Sequence, residues 1–155
     1  MLQIRHKGHQ ISLAVDPTLL ALDAPTFQAN ATVLGFIAGR VVALTNPDDV
    51  IALADGNESN GLVPIGFLIN DMAGNFYENK PALASGYVGV SFGPSVVVTD
   101  QIVSGITINP GDRLYVGTSG NVGLLTNVAP PNARAIGIAL AGASPASPSV
   151  LLAVL

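Results

Sequence analysis

The chain has 155 residues, of which 49% are apolar and only 10% charged, and its formal net charge is −4. Ordinary globular chains carry about 25% charged residues, and mixed surface charge is what keeps a lone protein dispersed. Such a chain therefore either enters a membrane or has much of its surface covered by partners. The six Lys and Arg residues are scattered apart from Arg5 and Lys7, whereas phosphate binding needs them clustered. Direct nucleic-acid binding is not expected. The absence of cysteine rules out disulfides and zinc–thiolate sites.

The membrane reading fails on length. A spanning helix needs roughly 20 apolar residues in a row, and the best run, Ala31 to Leu44, is broken by Arg40. Aromatic residues, at 5%, are too few for the girdles of an outer-membrane barrel. A surface covered by partners is the account that remains.

In chain order, the start, Met1-Leu2-Gln3-Ile4-Arg5-His6-Lys7, lacks the apolar core of a secretory signal. Residues 1–30 lack the glycine-punctuated rhythm that follows and read as an N-terminal arm. Within them Asp16 as N-cap and Pro17 as first helical residue predict a short helix near 17–23, ended by Pro25. An extended arm is the alternative. The apolar residues Ile4, Leu13, Leu19, Leu20, Leu22 and Phe27 are the candidates for contacts between subunits; the competing reading is that they complete the domain's own core.

From residue 31 to 155, 17 glycines and 11 prolines chain-wide punctuate runs of Val, Ile and Leu, the pattern of short strands joined by turns. The predicted strands are 10–15, 32–37, 40–45, 63–69, 87–92, 95–99, 113–116, 122–126, 134–140 and 149–154. The expected fold is all-β, a jelly-roll-like sandwich or small β-barrel with an N-terminal arm. Arg40-Val41-Val42-Ala43-Leu44 followed by Ile65-Gly66 is echoed by Arg113-Leu114-Tyr115-Val116 followed by Ile136-Gly137. That echo suggests two pseudo-repeated β units, with close backbone approach at the two glycines.

Motifs for chemistry are mostly absent. Gly89-Val90-Ser91-Phe92-Gly93 matches the nucleophile elbow of hydrolases. That elbow needs a helix after the serine and a histidine later in the chain, but another β run follows Pro94 and the last histidine is His9. His6 and His9 have helical metal-site spacing without carboxylates beside them, and read as solvated polar residues. The acidic stretch from Asp48-Asp49 to Glu58 lacks the Gly and Glu that an EF-hand loop needs at its sixth and twelfth positions. No cofactor, metal or catalytic residue is assigned, and the chain reads as a non-enzyme.

The C-terminal third carries a resemblance. Asn109-Pro110-Gly111-Asp112-Arg113-Leu114-Tyr115-Val116, Gly120-Asn121-Val122, Ala135-Ile136-Gly137-Ile138-Ala139-Leu140 and Val150-Leu151-Leu152-Ala153-Val154-Leu155 follow one another. This order resembles the capsid cement or decoration proteins of tailed bacteriophages, well over 105–155 and loosely over 31–104. The resemblance implies a β-barrel or jelly-roll-like domain without catalysis or cofactor. It implies a homotrimer bound to the major capsid protein on the capsid exterior of a virion assembled in the host cytoplasm. A phage tail, baseplate or fibre β module, or a ligand- or carbohydrate-binding jelly roll, is the alternative.

Overall fold

The computed structural model describes residues 2–6, 9–45, 50–72 and 86–155. They form eleven strands, two α-helices and a short 3-10 turn, Glu58–Asn60. The strands are β1 (Leu2–His6), β2 (His9–Ala14), β3 (Val41–Thr45), β4 (Val50–Leu53), β5 (Gly66–Leu68), β6 (Tyr87–Phe92), β7 (Ser95–Thr99), β8 (Arg113–Val116), β9 (Leu125–Thr126), β10 (Gly137–Ala141) and β11 (Val150–Val154). The helices are α1 (Pro17–Leu20) and α2 (Ala24–Val33). The protein is all-β, with a closed five-stranded barrel in the order β2-β4-β3-β5-β6 and a six-stranded sheet in the order β1-β7-β11-β10-β8-β9.

The two sheets share one wiring scheme. In chain order β2 to β6 and β7 to β11 are each five strands, and in each set the last strand lies between the first and the fourth. The registers also correspond. Val41 faces Phe67 and Val42 faces Gly66, as Arg113 faces Ile138 and Leu114 faces Gly137. Ile65 N–H donates to Val42 O at 2.9 Å, and Ile136 N–H to Leu114 O at 2.8 Å. Arg113 is thus the counterpart of Val41, one place away from the Arg40 that the sequence echo pairs with it.

Glycine marks the same points in both halves. Gly39 and Gly111 hold φ of 92° and 91°, a conformation that side chains disfavour, and their N–H groups donate to Leu68 O and Ala139 O. A Cβ on Gly66 would lie 2.3 Å from Ser91 O, and one on Gly137 2.8 Å from Ala153 O. These carbonyls belong to facing strands at matching positions. The Ile-Gly strands need glycine because a neighbouring backbone occupies the side-chain space.

The first half is filled from within. Leu13, Val42, Ile51, Leu68, Val88 and Val90 point inward, and Phe27, Ala31 and Phe36 from α2 and the turn after it pack against them. Asp23 caps α2, accepting from Thr26 N–H at 2.9 Å, and Pro25 stands in its first turn. Pro25 therefore begins a second helix, where its missing N–H costs nothing, and does not end the first. The predicted strand 32–37 is instead the end of α2 and a turn.

A second core lies between the sheets. Val41, Ala43, Ala54 and Phe67 from the outside of the barrel pack with Val97, Leu114, Val116, Leu125, Ala139, Val150 and Leu152 from the second half. Arg40 bridges them, its Nε donating to Gln101 Oε1 at 2.8 Å and its Nη1 to Val122 O at 3.2 Å.

The expectation of an arm over residues 1–30 is corrected here. β2 is a wall of the barrel, paired with β6 from His9 to Ala14, and β1 pairs with β7 in the other sheet. After β2 the chain turns through two capped helices, where glycine is not needed.

Candidate interaction surface

The residues expected to bridge subunits sit in the chain's own cores. Leu13 and Phe27 are buried in the barrel, with Leu19, Leu20 and Leu22 packed partly buried against that core. Ile4 packs against the core between the sheets. The competing reading, that they complete the domain, describes their placement in this chain.

An outward apolar row lies elsewhere, on the outer face of the six-stranded sheet, half-buried at its centre and exposed at Ile138 and Leu140. Alternation along a strand sends neighbours to opposite faces. Val97, Thr99, Val150 and Leu152 point inward and are fully buried, which leaves Val96, Val98, Leu151 and Ala153 outward and in register across β7 and β11. Ile138 continues the row beside Ala153, and Leu140 stands out where the β10–β11 register shifts, 49% exposed. Arg113, opposite Ile138, bounds the patch on one side. Antiparallel sheets with one wet face normally carry polar residues there. Here six apolar residues take those positions.

The matching face of the first half shows what such a surface does when covered. Phe67 is 2% exposed, whereas its counterpart Ile138 is 36% exposed. Val41 and Ala43 are buried, whereas Arg113 is exposed and Tyr115 half-buried. Neither half buries its outer face by its own strands. The second half covers the first, and within the described residues nothing covers the second.

Where the sheets meet, a cleft of about 260 Å³ opens, lined by Val63, Ile65, Phe67, Ile136, Val154 and others. Glu58 and Arg134 close its rim with an ion pair at 3.2 Å. Aliphatic and polar groups line it in about equal measure, with no clustered proton-transfer groups.

The remaining motifs fall apart on geometry. Ser91 is mid-strand in β6 and 2% exposed, and its hydroxyl has no partner among the described residues. His9 stacks on Phe92, ring centroids 5.5 Å apart, so it belongs to the opposite face of β6 from Ser91. His6 lies on β1 in one sheet and His9 on β2 in the other. Asp55 accepts from Asn57 N–H and Asn60 Nδ2, an Asx turn closed on itself. Asp48 and Asp49 lie outside the described residues. Among the described residues no three His, Asp or Glu gather as metal ligands, and no helix is long and apolar enough to cross a membrane.

Of the signals that would have located the sheet face, the alternation Ser95-Val96-Val97-Val98-Thr99 is the nearest: its apolar residues fall on both faces. Compared with known protein families and with curated proteins, the chain matches no family model and no curated sequence.

Proposed function

We propose that this chain is a structural virion protein of the cement or decoration kind. It binds the major capsid protein on the outside of a phage capsid as a homotrimer and stabilises the shell, without catalysis or cofactor. The observation that carries the reading is the outer face of the six-stranded sheet. Six apolar side chains turn outward there without a charge among them, five in register and Leu140 at the β10 bulge, with Ile138 and Leu140 exposed and the other four half-buried, in a chain with only 10% charged residues. Exposed contiguous apolar patches mark interaction sites. The order of glycine-bounded strands over residues 105–155 adds the resemblance to capsid cement proteins.

Physically, a shell protein of this kind gains from many shallow contacts. Each subunit of a trimer contributes the same patch, and linked patches bind far more tightly than one alone. The test is co-sedimentation with undecorated capsids, alongside native mass by light scattering. The expected outcome is an assembly of three 15.7 kDa chains that pellets with capsids. A monomer that stays in the supernatant would defeat the reading.

A further inference from the structure

We propose that the cleft where the two sheets meet is a binding site for a short-chain aliphatic carboxylate, its chain in the cleft and its carboxylate on the free edge of the Arg134 guanidinium. The site grows from the correspondence of the two halves. Ile65 and Ile136 are counterparts, donating their N–H groups to Val42 O and Leu114 O, and both line the cleft. Ile136 packs partly buried against the core between the sheets, as does Val154, and Ile65 against the core of the barrel. The cleft thus opens between residues of both cores, and every residue that lines it is among those described.

Its apolar walls are incompletely buried. Val63, Ile65, Ile136 and Val154 are half-buried and Leu155 is exposed, so an aliphatic chain laid among them completes their burial. Burying apolar surface is favourable in proportion to its area. Sites for drug-sized molecules run from roughly 300 Å³ upward. At about 260 Å³ this cleft takes a smaller body.

The rim sets the charge of the ligand. Glu58 and Arg134 are the charged side chains that line the cleft. Glu58 accepts from Arg134 Nε at 3.2 and 3.3 Å and from the Arg134 backbone N–H at 3.4 Å. Its side chain is 17% exposed, against 76% for that of Arg134. Glu58 is therefore a positioning residue that holds the Nε edge of the guanidinium. Among the described residues Nη1 and Nη2 have no partner. An arginine fork matches a carboxylate with two parallel hydrogen bonds. With Glu58 already beside it, a single guanidinium suits a monoanion, whereas a doubly charged phosphate ester meets more of the Glu58 repulsion. The site does not depend on the capsid reading, because its lining residues are not those of the outer sheet face.

The probe is sodium hexanoate, titrated into the isotope-labelled full chain and followed by amide shifts, with butanoate, hexan-1-ol and hexylammonium as comparisons. Exposed charges are screened, so the expected Kd is on the order of millimolar. Saturable shifts are expected at residues 63–67, 134–136 and 154. Hexanoate should bind about fivefold or more tightly than butanoate, which buries less chain. It should also bind about fivefold more tightly than the alcohol or the ammonium ion. Arg134→Gln should weaken hexanoate about fivefold and leave hexan-1-ol unchanged. If that variant does not fold, the ligand comparison on the native chain decides. The proposal is overturned by no saturable shift at these residues up to about 20 mM hexanoate. Equal binding of acid, alcohol and ammonium overturns it too, since the cleft then ignores charge. So does unchanged hexanoate affinity in folded Arg134→Gln. Shifts at Ile138, Leu140 and Leu151 instead would mean adsorption on the outer sheet face, and would also sink it.

Discussion

Arg40 holds the two sheets together through two hydrogen bonds, to Gln101 and to Val122 O. Burial lowers its pKa from the ordinary arginine value, which leaves it charged at neutral pH. Arg40→Ala strands the Gln101 oxygen and the Val122 carbonyl, and is expected to cost about 2 kcal/mol in urea unfolding. Gly56 acts through sterics: a Cβ there would sit 1.9 Å from Val116 O, and its N–H donates to Gly117 O. Gly56→Ala should lower the melting temperature sharply, with a loss above about 2 kcal/mol. Asp112 reports on acid. Its carboxylate accepts from Asn109 N–H and from Asn127 Nδ2, each at 2.9 Å. These bonds, the Asn109 one foremost, hold its pKa below the usual value. A depressed folded pKa gives stability that is present above the unfolded value, about 3.9, and is lost as pH falls through the folded one. Asp112→Asn should therefore melt lower than the native protein at neutral pH, and the difference should shrink below about pH 4. A constant difference across that range would exclude the carboxylate as its source.

At the scale of elements, counterpart positions give a controlled comparison. Phe67 and Ile138 occupy matching places on β5 and β10, but only Phe67 is buried. Phe67→Ala should cost about 3–5 kcal/mol, whereas Ile138→Ala should stay within about 0.5 kcal/mol for the isolated chain. Ile138→Glu should leave folding intact yet abolish capsid binding if the outer face is the contact. The strands 87–92, 95–99 and 113–116 were legible because Gly or Pro bounds short runs of Val, Leu and aromatic residues. α2 was not, because its apolar residues hardly follow a helical period, and Thr32-Val33 looks like a strand. Helix formation there is decided by the Asp23 cap and by burial of Phe27 and Ala31, which propensity alone does not see. β4 hid between a turn and the Gly/Asn-rich loop. β1 was missed because its pairing partner, β7, is remote in sequence. The scarcity of charge pointed to a covered surface. Which face it is depends on which side each strand turns to the core, and the sequence of β7, apolar on both sides, does not say.

For the whole molecule, the barrel and the sheet share a core, and the chain crosses between them twice, from β1 to β2 and through Gly93 and Pro94 from β6 to β7. They should unfold together in one transition, seen as coincident near- and far-UV circular dichroism. Removing residues 1–30 takes out β1, β2, α1 and most of α2, so that truncation is expected to leave no closed barrel, by loss of chemical-shift dispersion across residues 41–92. Each half also places its last strand between two earlier ones: β6 lies between β2 and β5, and β11 between β7 and β10. During synthesis, the first half acquires its closing strand when Phe92 has emerged, while Leu2 must wait for Thr99. β7 and β10 then hold open edges until residues 150–154 arrive to fill the gap. Folding from the ribosome is therefore set up to proceed in two locking steps. Between them lies an aggregation-prone interval, during which a nascent chain with a finished barrel still carries an unfilled slot between β7 and β10.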